Sequence, residues 1–239
     1  MPDGPPLRIL HCFRSPVGGI FRHVRDLAEQ HSRAGHQVGI LCDSTTGSEH
    51  EDRLFDQIMP YLPLGLHRMP IARSVGFGDV AALYRSYKEI KSLRPDVLHG
   101  HGAKGGAVSR IIGSALRAKR YRVARFYSPH GGSLHFDRRS LSGRGVFAAE
   151  RLLERMTDAI VFVCDYERRT YEAKIGVPRC AHRMIYNGLA DRDFTLIPAR
   201  SDSVHFIYVG MLRDLKGPDV FIEAFARTER RVGHPLSAL

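Results

Sequence analysis

Short apolar runs alternate with longer stretches of helical periodicity along most of the chain. Leu7 to Cys12 (LRILHC) is an apolar run that ends at Pro16, Gly18 and Gly19, as a buried strand feeding a loop does. Ile20, Phe21, Val24, Leu27, Ala28 and His31 then recur at helical spacing. Arg22, Arg25, Glu29 and Arg33 take the opposite face, and Gly35 supplies a stop. The same reading predicts strands at Gln37 to Cys42 and Gly65 to Ile71, a short helix near Leu54 between them, and a helix from Asp79 to Leu93. It continues with a strand Asp96 to His99, a glycine-rich turn, a helix from about Lys104 to Arg117 and a strand Arg122 to Tyr127. A helix around Val146 to Met156, a strand Ala159 to Cys164, a helix Asp165 to Ile175 and a short strand Met184 to Tyr186 complete the series.

This alternation predicts an α/β fold, a Rossmann-like doubly wound parallel sheet with helices on both faces. Polar residues and Pro198 mark Gly188 to Ser203 as a linker, so the first domain is placed at 1–198 and the remainder at 199–239. That remainder holds a strand Val204 to Val209, a loop Gly210 to Gly217 and a helix from Pro218 to about Arg231. It reads as the opening of an incomplete second Rossmann-like domain, and the chain is expected to be truncated.

Composition supports a packed globular core: apolar residues are 43% and charged residues 26% of 239, which excludes a disordered chain. The formal charge of +11, with a pI near 9.9, adds an expectation of anionic partners such as nucleotide diphosphates or anionic lipid headgroups. The densest basic stretch runs from Arg117 to Arg122 with Arg125 beyond, and a second includes Arg138, Arg139 and Arg144. Neither is interleaved with stacking aromatics, so nucleic acid is not expected as a partner. Cys12, Cys42, Cys164 and Cys180 lie far apart without metal-ligand spacing and are read as free thiols. No signal peptide and no run of roughly 18 apolar residues is visible. The expected location is cytoplasmic, with peripheral contact on the inner face of the membrane.

In doubly wound sheets, ligands bind beyond the carboxyl ends of the strands, so the residues there are the candidates for chemistry. Gly18 and Gly19 precede a helix, where missing side chains admit a ligand to backbone N–H groups and the positive helix end. His99 to Gly106 (HGHGAKGG) places His101 and Lys104 where a polar substrate could be gripped. A metal there would need further ligands that nothing in the neighbouring sequence supplies, so none is expected. His130 follows a strand between Pro129 and two glycines, which leaves space around its imidazole. Arg213, Lys216 and Gly217 join two cations to a helix start with proline in its first turn, an anion site suited to a diphosphate.

Together these segments resemble the family four retaining glycosyltransferases of the GT-B fold. The resemblance rests on the Gly18-Gly19 helix start, the H-x-H of His99 and His101, the His130 loop and the passage ERLLERMTDAIVFVCDYER. The YNGL turn at Tyr186 to Leu189 and the ending LKGPDVFIEAF add to it. It implies that the glycines and His130 line an acceptor cleft near the transferred sugar, with His130 as the catalytic candidate. It implies further that Lys216 and an arginine hold the diphosphate of a nucleotide-sugar donor. Met211 stands where that arginine usually lies, which makes Arg213 the candidate substitute.

The implied reaction is retaining transfer to a glycan or lipid-linked acceptor in cell-envelope or polysaccharide biosynthesis. The implied chemistry needs no cofactor and no metal, and an anionic membrane surface is a candidate partner. The 239-residue chain alone is expected to be inactive. Two alternatives remain open: a non-catalytic remnant acting as a binding or membrane-surface module, and a nucleotide-sugar epimerase of the same fold.

Overall fold

A computed structural model describes residues 4–71, 78–198, 202–210 and 212–239, without the side chains of 78–80, 192 and 215. Met211 therefore lies outside the described residues. The chain divides into two compact units, Met1–Leu189 and Ala190–Leu239.

In the first unit, strands β1 (Arg8–Phe13), β2 (Gln37–Asp43), β3 (Gly65–Met69) and β4 (Val97–His101) are followed by β5 (Ala124–Ser128), β6 (Ala159–Phe162) and β7 (Ala181–Met184). They form one seven-stranded sheet in the order β3-β2-β1-β4-β5-β6-β7, and each neighbouring pair is parallel. Helices α1 (Gly18–Arg33), α2 (Glu49–Ile58), α3 (Gly78–Leu93), α4 (Gly102–Ala118), α5 (Leu141–Glu154) and α6 (Asp165–Lys174) supply the crossovers.

Side-chain alternation along β1 divides the core. Phe13 packs with Val38, Ile40 and Cys42 against Phe21, Val24 and Ala28 of α1 and Phe55 and Ile58 of α2. Leu10 and Cys12 point the other way, into a layer with Leu41, Leu98, Ile90 of α3 and Ile112 and Leu116 of α4. A further cluster joins Tyr127, Phe147, Ile160, Phe162 and Tyr171. The cysteines are free, and burial pushes the Cys12 thiol up to about 12.

Several boundaries differ from the sequence reading. The glycine-rich turn after His99 does not exist, because β4 runs on through His101 and α4 begins at Gly102. Gly105 and Gly106 are helical, and they are small so that α4 can lie directly on the sheet. A Cβ on Gly105 would fall 2.2 Å from the Cys12 carbonyl oxygen, and one on Gly106 would fall 2.3 Å from the Tyr127 ring. The segment near Leu54 is a full helix, nucleated by a capping box in which the Ser48 N–H donates to Glu51 at 2.8 Å. Helix α5 starts ahead of Val146 because the Ser140 hydroxyl accepts the Gly143 N–H at 3.0 Å. The final strand is Ala181–Met184 rather than Met184 to Tyr186, since Ala181 pairs with Ala159 and Met184 with Phe162.

A buried ion pair braces the side of the sheet that carries β5. Arg110 of α4 donates to Glu150 of α5 at 2.9 Å and stacks 3.9 Å above the Tyr127 ring, and the Tyr127 hydroxyl donates to the same carboxylate at 3.2 Å.

In the second unit, helix α7 (Pro218–Val232) follows a 3-10 turn at Asp214–Lys216. Among the described residues, the segment expected as a strand from Val204 to Val209 makes an isolated parallel bridge, Phe206 to Ala238, in place of a strand. Its backbone bonds run from the Phe206 N–H to Ser237 and from the Tyr208 N–H to Leu239. Phe206, Tyr208, Phe221 and Phe225 make ring contacts within this small unit.

Candidate active site

The strand order reverses between β1 and β4, so the crevice at their carboxyl ends is the topological switch point of the sheet, where doubly wound folds bind ligands. The segment after β1 opens α1 through Gly18, whose φ of +71° favours glycine. Nothing lies within 4 Å of a Cβ built on Gly18 or Gly19. The Val17 cap makes no side-chain hydrogen bond and the first turn carries no acid, so this helix end keeps its positive character toward an anion.

After β5 the backbone turns sharply. His130 has φ +49° and Gly131 φ +74°, a left-handed pair of which the first member lacks glycine's freedom. Glu167 of α6 holds this turn in place by accepting the Gly131 N–H at 2.9 Å and the Val163 N–H at 2.9 Å. Burial raises the carboxyl pKa of Glu167, and these backbone N–H groups, with that of His130, oppose the rise. Gly132 in turn lies on the start of α4, where a Cβ would approach the Ala103 nitrogen to 2.8 Å.

The fold gathers histidines beneath this turn. Parallel pairing sets His11 of β1 beside His99 of β4, and Phe13 beside His101. One ring nitrogen of His101 (Nε2) lies 3.0 Å from His11 Nδ1, and the other (Nδ1) lies 3.0 Å from His130 Nε2. His99 Nε2 lies 2.9 Å from the Ser128 hydroxyl. His23, from the second turn of α1, closes the group with its ring centroid 5.0 Å from that of His130 and 5.7 Å from that of His101.

Burial is the chief cause that holds these imidazoles neutral. It pushes His99 and His130 down to about 3, lowers His11 and His101 well below the usual value, and lowers His23 against the opposing charge of Asp26. The Nε2 of His11 is buried without a hydrogen-bond partner.

Of the residues named from the sequence, Gly18, Gly19 and His130 share this edge, with His130 half-buried at the surface. His101 stands behind His130, 1% exposed, with both ring nitrogens engaged. Lys104 is half-buried in the first turn of α4. Arg213, Lys216 and Gly217 belong to the second unit. There Arg213 precedes the 3-10 turn, Lys216 is exposed at its end, and Gly217, at φ +65°, leads into Pro218 of α7.

Sequence reasoning passed over His11, His23 and Glu167. The H-x-H spacing does put His99 and His101 on one face of a strand, but which residues of β1 and α1 meet them depends on strand register.

This architecture, an all-parallel seven-stranded sheet with its crevice at the β1/β4 switch, defines the Rossmann-like class seen in GT-B glycosyltransferases. The model of Glycosyltransferase Family 4 matches residues 17–192, well over half of the sequence, and the chain belongs to that family. No curated protein matches its sequence significantly.

Among solved structures it is similar to Anabaena Alr3699/HepE in complex with UDP and glucose, at 17% identity and a TM-score of 0.67. That match covers 92% of this chain and 58% of the other. A glycosyltransferase from Rickettsia africae ESF-5 matches at 15% identity and a TM-score of 0.63, over 98% of this chain and 59% of its own. LpCGTa in complex with UDP matches at 14% identity and a TM-score of 0.58, over 94% and 64%. The chain thus spans about 58% of the length of the first of these relatives.

Proposed function

We propose that this chain is the acceptor-side domain of a retaining glycosyltransferase, together with the start of its donor-binding domain. It would act on a nucleotide diphosphate sugar and a glycan or lipid-linked acceptor. The family match across residues 17–192 carries this reading, because it spans the glycine-opened helix and the His130 turn alike. UDP-sugars are the first donors to consider, since the Anabaena relative was crystallised with UDP and glucose.

In this reading the Gly18-Gly19 helix end faces the reacting sugar, and neutral His130 accepts from or donates to a sugar hydroxyl. Lys216, with Arg213 and the Gly217 helix start, stabilises the charge that develops on the departing diphosphate. Such catalysis depends on donor and acceptor being held together between two complete domains, so the 239 residues alone should transfer sugar poorly.

The test is transfer by a chain carrying a complete second domain, offered UDP- and GDP-sugars with glycan and lipid-linked acceptors. A product that keeps the donor's anomeric configuration, and is lost with His130→Ala in a folded variant, is expected. Isomerisation of the nucleotide sugar without an acceptor, or an inverted product, would overturn the reading.

A further inference from the structure

Three of the clustered histidines converge from separate, rigid elements onto one point at the open edge of the sheet. His23 comes from α1, His101 from the end of β4 and His130 from the turn after β5. Each offers a ring nitrogen within 4.8 Å of the other two. We propose that His23, His101 and His130 form a binding site for a divalent first-row transition ion of the zinc class, with its remaining coordination position turned toward the cleft.

The geometry and the chemistry agree with such an ion. Tetrahedral zinc with Zn–N bonds of about 2.0 to 2.1 Å keeps its ligand nitrogens about 3.3 Å apart. His101 Nδ1 and His130 Nε2 already stand at 3.0 Å, so they need only part slightly. His23 needs to approach by at most about 1.5 Å to reach that tetrahedral separation, a small swing for a half-buried helix side chain. Three imidazoles are the complement that an open zinc site uses, leaving the fourth place for a water or another oxygen ligand.

The surroundings provide what a ligating histidine ordinarily requires. With Nδ1 of His101 on the ion, its Nε2–H donates to His11 Nδ1 at 3.0 Å, which fixes both tautomer and ring plane. His130 is held from behind, since Glu167 ties down the adjoining Gly131 N–H.

A second triad, His11, His99 and His101, shares His101 but lies wholly inside the core. There His99 is engaged with Ser128, and burial of all three rings leaves neither an entry path nor an open position. The outer triad is the one an ion can reach. This inference concerns binding alone and stands whether or not the transfer reaction proposed above is correct.

The test uses the 239-residue chain, stripped with chelator and titrated with cobalt(II), then with zinc. One cobalt per chain is expected, with the intense visible bands of tetrahedral coordination, displaced by one equivalent of zinc. His23→Ala should weaken binding by roughly tenfold or more, since disturbing even an outer-shell partner has that effect. His23 sits partly exposed on α1, so the variant should keep the parent's circular dichroism. His23→Gln, which keeps a polar side chain at that position, checks that loss of the imidazole is responsible.

With 13 histidines in the sequence, loose surface binding is the main rival. Weak six-coordinate cobalt spectra, or affinity unchanged in both His23 variants, would overturn the proposal. So would affinity lost in His99→Gln but retained in His23→Ala, which would assign the ion to the inner triad.

Discussion

Replacing Gly105 with alanine would put a Cβ 2.2 Å from the Cys12 carbonyl oxygen and 2.6 Å from the Phe13 Cα. Both are backbone atoms of β1, which lies between β2 and β4 in the sheet and cannot rotate away as a side chain would. Relief requires α4 to lift off the sheet by about 1 Å, given an optimal carbon–carbon separation of ~3.5 Å. Overpacking of this kind costs about 1 to 3 kcal/mol, and a backbone obstacle places it at the upper end. Lifting α4 also loosens Ile112 and Leu116 in their layer. Alanine returns about 1 kcal/mol of helix propensity. A net loss of about 2 kcal/mol is expected, or a Tm lower by roughly 4 to 8 °C for a unit of this size.

Urea denaturation followed by circular dichroism, beside calorimetry, would measure the effect. Gly145→Ala serves as the control, because Gly145 is exposed in α5 with nothing within 4 Å of its Cβ, and it should stabilise by about 0.5 to 1 kcal/mol. If Gly105 were small so that a ligand could approach, alanine would leave stability intact or improve it, and such a result would refute the packing argument.

Glu150→Ala should destabilise by about 3 to 5 kcal/mol by stranding buried Arg110, while Arg110→Met with Glu150→Leu should recover most of that loss; a single-variant loss below about 1 kcal/mol in calorimetry would contradict the pairing. In chelator-treated buffer, stability should fall as pH drops below 6.5 and continue to fall toward about 3. Between those values the unfolded chain takes up protons that folded His99 and His130 refuse, at about 1.4 kcal/mol per group per pH unit. A flat urea midpoint from pH 7 to 5 would argue against the buried neutral cluster. Binding to anionic vesicles should weaken with salt and with Arg120→Glu and Arg122→Glu. Both arginines are exposed, in a basic run where Arg117 and Arg125 share the single carboxylate of Asp158. Equal binding to neutral vesicles would remove the electrostatic account.

Local patterns determined the order of elements. Short apolar runs and a 3.6-residue periodicity, punctuated by Gly35 and Pro198, need only near neighbours to be read. They placed every strand of the first unit to within a few residues. Boundaries drifted where a single hydrogen bond decides them, as with the Ser140 cap of α5. The segment Val204 to Val209 has the composition of a strand, yet a strand needs neighbours to pair with, and among the described residues it meets just one short bridge, at Ala238.

The site divides in the same way. Gly18, Gly19 and His130 stood out as candidates because a glycine before a helix, or a histidine between a strand and two glycines, is a local signal. Gly105 and Gly106 carried the same signal for a different reason, because close packing of a helix on a sheet removes side chains just as ligand approach does. The histidine cluster was legible only in part: His99, His101 and His130 stood out in the sequence, but that His11 and His23 join them did not. His11 and His101 touch although 90 residues separate them, and their meeting depends on the parallel register of β1 with β4. That register is set by how the crossover helices pack on the sheet, an interaction summed over the whole core, and no local run of sequence contains it.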